Sequence, residues 1–210
     1  MGNISLYNLQ DVDNTDLVSR LEMAQNACVQ AQELSSQLLT FSKSGTSITR
    51  VPSSIEKILC DTARFATSGS NVKLKYEIDK NTLPVEIDRV QIGQVVSNIV
   101  INSLQAIAND GEIVIKAENI SASRERGIPL GQGAYVKITI EDNGIGIPRE
   151  YMSKIFDPFF TTKQHGSGLG LATAYSIIKN HGGHLTVESE LHVGTRVYIH
   201  LPATDKDIQD

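Results

Sequence analysis

Four short stretches hold residue types at spacings that could do chemistry. Gln91, Gln94, Asn98, Asn102, Gln105 and Asn109 recur at steps of three and four, so a helix would carry them all on one face. That stripe contains no charged side chain. Amides offer both donors and an acceptor without fixed charge, which suits a polar ligand, although a neutral solvated face looks the same. In Ile140-Glu-Asp-Asn-Gly-Ile-Gly-Ile-Pro148 a strand-like run meets Asp142 and then two alternate glycines. Glycines permit close backbone approach and positive φ, and the Asp142 carboxylate can accept from the amino group of a base. Asp-Asn-Gly is equally the signal of a simple turn. Gly166-Ser-Gly-Leu-Gly-Leu171 leads into a helix, whose unpaired N–H groups and dipole favour a phosphate. Its spacing is not G-x-G-x-x-G, and no Gly-Lys-Ser/Thr follows as a P-loop requires. Between the glycine elements, Ile155-Phe-Asp-Pro-Phe-Phe-Thr-Thr-Lys163 places three phenylalanines close to a lysine, as lid hinge or as core anchors.

The elements that must position these residues can be read from periodicity. Leu17, Leu21, Ala24, Cys28, Ala31, Leu34 and Leu38 predict a helix over Leu17 to Phe41 whose stripe resembles a coiled-coil seam. Asp13, Asn14 and Thr15 are candidate N-caps, and Lys43-Ser44-Gly45 reads as its stop. The stripe needs a partner, either the chain's own domain or a second copy. A shorter helix is expected from Ser54 to Ala66, a half-buried strand over Val72 to Ile78, and a helix over Asp88 to Asn109. Strands are expected at Glu112 to Ala117, Tyr135 to Ile140, His184 to Glu188 and Arg196 to Leu201. A hairpin loop is expected over Ser121 to Gly133, and a helix after Gly170. Strands and helices mix without a regular βαβ alternation, which predicts α+β rather than a doubly wound parallel sheet. The expected domain boundary lies near Gly45, giving segments 1–45 and 46–210.

Composition narrows the function. The 210 residues carry a formal net charge of −5, which argues against a general grip on nucleic acid or anionic lipid. No run of about 18 apolar residues is present, and the first residues lack the basic and apolar regions of a secretory signal. Two cysteines, Cys28 and Cys60, are too few for a disulfide framework and read as reduced thiols. A soluble, cytoplasmic chain is expected, without nucleic-acid or direct membrane contact.

In order along the chain, Asn98-x3-Asn102, Asp142-x-Gly144-x-Gly146, Phe156-Asp-Pro-Phe-Phe160 and Gly166-x-Gly-Leu-Gly-Leu171 resemble the N, G1, F and G2 boxes of sensor histidine kinases. Those belong to the gyrase, chaperone, histidine-kinase and MutL superfamily, which has the Bergerat ATP-binding fold. The resemblance runs on through Ile177-Ile-Lys-Asn-His-Gly-Gly183, Val187-Glu-Ser189 and Gly194-Thr195, covering about residues 50 to 203. The Phe-Phe-Thr-Thr-Lys163 stretch and the short lid are similar to the nitrogen-regulation subclass and its hybrid relatives.

The resemblance implies a two-layer α/β sandwich, a mixed sheet covered by helices on one face, preceded by a long helix from a dimerisation hairpin. It implies ATP and Mg²⁺ as cofactors. Asp142 would bind the adenine amino group, with Gly144 and Gly146 shaping the base pocket and Phe159 and Phe160 supporting the lid. Gly166, Gly168 and Gly170 would give the phosphates room and backbone donors. Asn102 would hold Mg²⁺, and Asn98 would support the phosphate end. Ile147, Lys163, Ser167, Leu169 and Leu171 fall within the same nucleotide-binding set. Hydrolytic members of the superfamily carry a glutamate at the place of Asn98. An amide cannot act there as general base, so transfer to a protein histidine is implied over hydrolysis. Gln105 stands where many kinases have a basic residue, so no phosphate contact is assigned to it; Ser103 replaces the usual alanine, a small change.

The implied partners are ATP or ADP, a response-regulator receiver domain docking partly on the Leu17 to Phe41 helix, and a second copy through the hairpin. The acceptor histidine is missing. The five histidines, His165, His181, His184, His192 and His200, all follow the Asn98 helix, and none precedes an acidic residue on a helix. Gly2 to Leu6 resembles the last turn of the hairpin's first helix, so a fragment cut just after the acceptor is expected, able to bind ATP but not to phosphorylate itself. The alternative is a pseudokinase, a nucleotide-sensing docking module without phosphotransfer. His181 and His184 lack the further ligands of a metal site.

Overall fold

Alternation along the strands decides which way each one faces. The computed structural model describes residues 20, 21, 23, 24, 49–108, 110–122, 129–163 and 166–208. The chain divides into two units, Met1–Ser42 and Lys43–Asp210, and the fold described here is that of the second. The helix expected over Leu17 to Phe41 lies outside the described residues, apart from Arg20, Leu21, Met23 and Ala24, which are helical and exposed.

In chain order the elements are β1 (Val51–Ser53), α1 (Ile55–Ala66), β2 (Lys73–Ile78), β3 (Val85–Ile87), α2 (Arg89–Ala106), β4 (Glu112–Ser121), β5 (Ala134–Asp142), α3 (Gly170–Asn180), β6 (His184–Glu190) and β7 (Gly194–Pro202). A short 3-10 turn, Arg149–Tyr151, precedes α3. Five strands form one sheet in the order β2-β4-β5-β7-β6, and β1 and β3 form a separate ribbon. The β2–β4 pair is parallel and the other pairs are antiparallel, so the sheet is mixed.

The register aligns Ile115, Ile140, Val197 and Val187 across β4, β5, β7 and β6, and Ala117, Ile138 and Ile199 in the row beyond. These side chains share a core with Ile55, Leu59 and Ala63 of α1, Val95, Val96 and Ile99 of α2, and Ala174, Ile177 and Ile178 of α3. All three helices therefore cover one face of the sheet. Burying each large aliphatic side chain contributes about 1.5–3 kcal/mol, and a one-residue slip of any strand would turn its set outward. The other face is charged and cross-paired, with Arg196 on Glu141 and Lys116 on Glu77. This is the expected two-layer α+β sandwich.

Two expected boundaries move. The Asp88 helix stops at Ala106, not Asn109, because Ile107 is extended and the Ala106 carbonyl accepts from the Ile145 N–H at 3.0 Å instead of from a further helical turn. Asn109 lies outside the described residues, so the amide stripe is seen through Gln105. β4 and β5 run longer than their apolar cores because they pair with each other from Ile113↔Asp142 out to Ser121↔Ala134. No helix among the described residues is long and apolar enough to cross a membrane.

Candidate functional site

The apolar core ends in a polar row. Ile113, Asp142, Thr195 and Ser189 lie side by side across β4, β5, β7 and β6, one row beyond Ile140 and Val197. Asp142 is only 6% exposed. Its Oδ1 accepts from the Gly144 N–H at 2.9 Å and its Oδ2 from the Ser103 hydroxyl at 2.8 Å, and the Thr195 main chain bonds to the carboxylate as well. Burial pushes the Asp142 carboxyl above its ordinary 3.8, and these donors oppose the shift, Ser103 most strongly.

The loop after β5 closes the floor of the site. Gly144 lies against the end of α2, where a Cβ would stand 2.8 Å from the Ala106 carbonyl. Gly146 has φ +71°, and a Cβ there would stand 2.1 Å from the Glu190 oxygen. The Ile147 N–H donates to Ser189 Oγ at 2.8 Å, and the His192 N–H to the Ile145 carbonyl at 2.7 Å. Ser189 Oγ in turn donates to the Gly194 carbonyl at 2.9 Å. The loop and the β6–β7 hairpin are thus fastened to each other beside Asp142.

The amide face of α2 meets the start of α3. Asp88 caps α2, its carboxylate accepting from the N–H groups of Val90 and Gln91 at 3.0 and 3.1 Å. Asn98 Nδ2 donates to the Gly170 carbonyl at 3.1 Å, and a Cβ on Gly170 would lie 3.7 Å from Asn102 Nδ2. Asn98 and Asn102 are half-buried rather than freely solvated. Lys163 Nζ donates to Asn102 Oδ1 at 3.2 Å and to Gln105 Oε1. Its ammonium is partly desolvated, which lowers its pKa, while the charge of Asp142 opposes the shift.

The phenylalanines divide their work. Phe156 packs against the core with its ring 4.9 Å from that of Tyr175, and Phe160 lies 5.7 Å from Tyr151. Phe159 is 64% exposed and takes φ +68°, a left-handed conformation uncommon for a bulky residue. Its N–H donates to the Gly168 carbonyl at 3.0 Å, and Gly168 is itself left-handed at φ +67°. Farther along, Gly166 donates to the Lys163 carbonyl at 3.4 Å, the Leu169 N–H reaches Ser167 Oγ at 3.4 Å, Leu169 is buried and Leu171 half-buried.

The four stretches that stood out in the sequence therefore converge on one region around Asp142, the amide face of α2 and the start of α3. His181 and His184 do not form a ligand pair. His181 is buried, accepting the Asp88 N–H on Nε2 at 3.1 Å and bonding to the Ile177 carbonyl through Nδ1 at 2.8 Å, whereas His184 Nδ1 faces Lys179 Nζ at 3.4 Å. Among the described residues no three His, Cys, Asp or Glu gather as metal ligands. Ser103 corrects the sequence reading, because its hydroxyl is buried on Asp142 and is no small change. Ser189 and Thr195 also went without a role. Their signal was available: each is a polar residue in phase with its strand's apolar face, after Leu185 and Val187 in one case and before Val197 and Ile199 in the other.

The family model described as "Histidine kinase-, DNA gyrase B-, and HSP90-like ATPase" matches residues 87–205, the span that holds all of these residues. The sensor kinase CckA of Brucella abortus (strain 2308) is 36% identical over 193 residues, covering 87% of this chain and 20% of that protein. The sensory histidine kinase/phosphatase NtrB of Rhizobium leguminosarum bv. phaseoli is 32% identical over 176 residues, covering 78% of this chain and 44% of its own length. The chain thus spans less than half of either curated relative. Among solved structures, the nucleotide-free catalytic domain of histidine kinase ThkA superposes with a TM-score of 0.61 at 29% identity, covering 76% of this chain and 97% of that one. ThkA in complex with the response regulator protein TrrA gives 0.71 at 25% identity, over 93% and 54%.

Proposed function

The chain belongs to the histidine kinase-, DNA gyrase B- and HSP90-like ATPases, and from that membership we propose that it works as the ATP-binding catalytic domain of a two-component sensor histidine kinase. It binds ATP with Mg²⁺ and presents the γ-phosphate to a histidine outside these 210 residues, for relay to an aspartate of a response regulator. The observation that carries this reading is the buried Asp142 carboxylate, set beside the amide face of α2 and the glycine-rich start of α3.

In this reading Asp142 accepts the adenine amino group, and Gly144, Gly146 and Ile147 shape the base pocket. Phe159 and Phe160 belong to the covering lid. The main chain from Gly166 to Leu171, with Ser167, Gly168, Leu169 and Gly170 between them, surrounds the phosphates at the α3 N-terminus, where unpaired donors and dipole favour anions. Lys163 adds the cation. The seat proposed for Mg²⁺ suits one, since Asn102 Oδ1 already accepts from the Lys163 ammonium. An amide oxygen with phosphate oxygens and water is also a donor set that magnesium uses. Bound there, the ion would screen the charge of the phosphate oxygens.

Asn98 donates an amide N–H to the Gly170 carbonyl and so holds the phosphate helix, and an amide cannot serve as a general base on water, which favours transfer over hydrolysis. None of the described histidines suits an acceptor. His181 and His200 are buried, His184 is set against Lys179, and His192 sits in the β6–β7 turn. Domain boundaries at 45/46, dimerisation through the first segment and receiver docking on it belong to the same proposal.

The test is incubation of the chain with radiolabelled ATP and Mg²⁺, alone and with a separate helical-hairpin segment carrying a histidine. Label on the hairpin and none on the chain is expected. Binding without transfer would put the nucleotide-sensing docking module in its place, and steady phosphate release would indicate a hydrolase.

A further inference from the structure

Ser103 follows Asn102 in the last turns of α2 but faces the sheet rather than the amide stripe. It is 3% exposed, and its hydroxyl donates to Asp142 Oδ2 at 2.8 Å. The Gly144 N–H holds the other oxygen at 2.9 Å. Both oxygens are thus tied, and Ser103 supplies the one side-chain hydrogen bond to this carboxylate among the described residues. Among the described residues, Lys163 and Glu141 are the charged groups that act on Asp142. Lys163 approaches from the covering segment, and Glu141, its neighbour in β5, sits on the opposite face paired with Arg196 at 2.6 Å.

What the carboxyl offers a base depends on its proton and its aim. Ionised, it only accepts, so it takes the N–H of a 6-aminopurine and repels the carbonyl oxygen of a 6-oxopurine. Protonated, it can donate and will accommodate that carbonyl. A buried carboxylate tends toward the second state unless donors hold it in the first.

We propose that Ser103 is a positioning residue for base selection. By donating to Oδ2 it keeps Asp142 aimed as an acceptor, so that the site takes 6-aminopurine nucleotides and refuses 6-oxopurine ones. This rests on the nucleotide reading above. Ser103 touches no substrate in this role and acts through Asp142 alone. A side chain without a donor at position 103 leaves Asp142 with main-chain partners only, and the distinction between the two purines weakens.

The test uses the 210-residue chain, Ser103→Ala and Ser103→Cys, titrated calorimetrically with ATP and with inosine triphosphate, which differ at purine C6 and in the N1 proton that the 6-oxo group brings. The series is run from about pH 5.5 to 8, and each variant is compared with the unaltered chain at the same pH so that titration of the nucleotide phosphates cancels. The unaltered chain should prefer ATP. Both variants should lose about tenfold of that preference, the worth of one hydrogen bond to a charged group. Their loss of ATP affinity on acidification should also begin at a higher pH. Cysteine keeps the size of serine but donates weakly, so a Cys variant that behaves like the unaltered chain would show that only shape matters and would overturn the proposal. An unchanged ATP-to-inosine ratio in both variants, with only a lower unfolding midpoint, would overturn it too. If the Ala variant does not fold, the Cys variant carries the test. Failure of the unaltered chain to bind ATP would overturn the nucleotide reading itself, and this inference with it.

Discussion

Replacing Gly146 by alanine should separate the floor of the site into two loops. The residue holds φ +71°, where an L-residue costs about 1–2 kcal/mol. The new Cβ would also stand 2.1 Å from the Glu190 oxygen and 2.8 Å from its carbonyl carbon. Both are backbone atoms, so no rotamer change relieves the overlap. The loop after β5 must then move off the β6–β7 hairpin and give up the His192–Ile145 and Ile147–Ser189 hydrogen bonds, each worth about 1 kcal/mol. The sum is about 3–4 kcal/mol. Gly69→Ala is the control: its φ of +80° carries the same conformational strain, but nothing lies within 4 Å of the new Cβ. It should lose about 1–2 kcal/mol. Urea unfolding followed by circular dichroism measures both losses, and nucleotide titration measures function. Gly146→Ala should lose roughly twice as much stability as the control and most of its ATP affinity, whereas Gly69→Ala should keep its affinity. Equal losses of stability would mean that the contact between loop and hairpin is not the constraint described here.

Asp142→Asn should weaken ATP binding by more than about tenfold, because it exchanges a held acceptor for an amide with one acceptor and a misplaced donor; calorimetry on the folded variant decides it. Lys163→Met should weaken ATP by about tenfold while leaving adenosine little changed, and equal effects on the two ligands would remove the lysine from the phosphate end. His181 accepts the Asp88 N–H on Nε2 and is held neutral by burial, its pKa below the ordinary 6.5. Between those two values the unfolded chain takes up the proton and the fold does not, so stability falls as pH drops below about 6.5. Thermal unfolding from pH 7.5 to 5.5 should show this slope, and His181→Gln should flatten it.

Much of this architecture is legible in the amino-acid sequence alone. The alternation in Glu112 to Ala117, Tyr135 to Ile140 and Arg196 to Leu201 identified both the strands and their inward faces, because that face is buried under three helices and its pattern admits no slip. The ribbon of β1 and β3 was not legible. Each strand has three residues, one is centred on Pro52, and they pair as Val51↔Ile87 only when distant segments meet. At the site, the amide stripe and the glycine boxes stood out through spacing, but side-chain direction did not. Ser103 and Asp142 are 39 residues apart, and Lys163 and Gln105 are 58. No periodicity reports whether a hydroxyl points at a carboxylate or a lysine bridges two amides; the docking of α2 on the sheet and the path of the Thr161 to Lys163 stretch decide both.

The helix α3 is moored to α2 at each end, by Asn98 on the Gly170 carbonyl and by His181 on the Asp88 N–H. A rod pinned at two points along the same neighbour can neither swing nor slide without breaking one of them. Strain arriving at its glycine-rich tip is therefore handed to α2 as a whole, and through Asp88 to the opposite end of that helix, about 17 residues from Gln105. Amide exchange should report this as common timing: the α2 and α3 backbones should slow together when the tip is filled, while the Thr161 to Lys163 stretch follows a rhythm of its own.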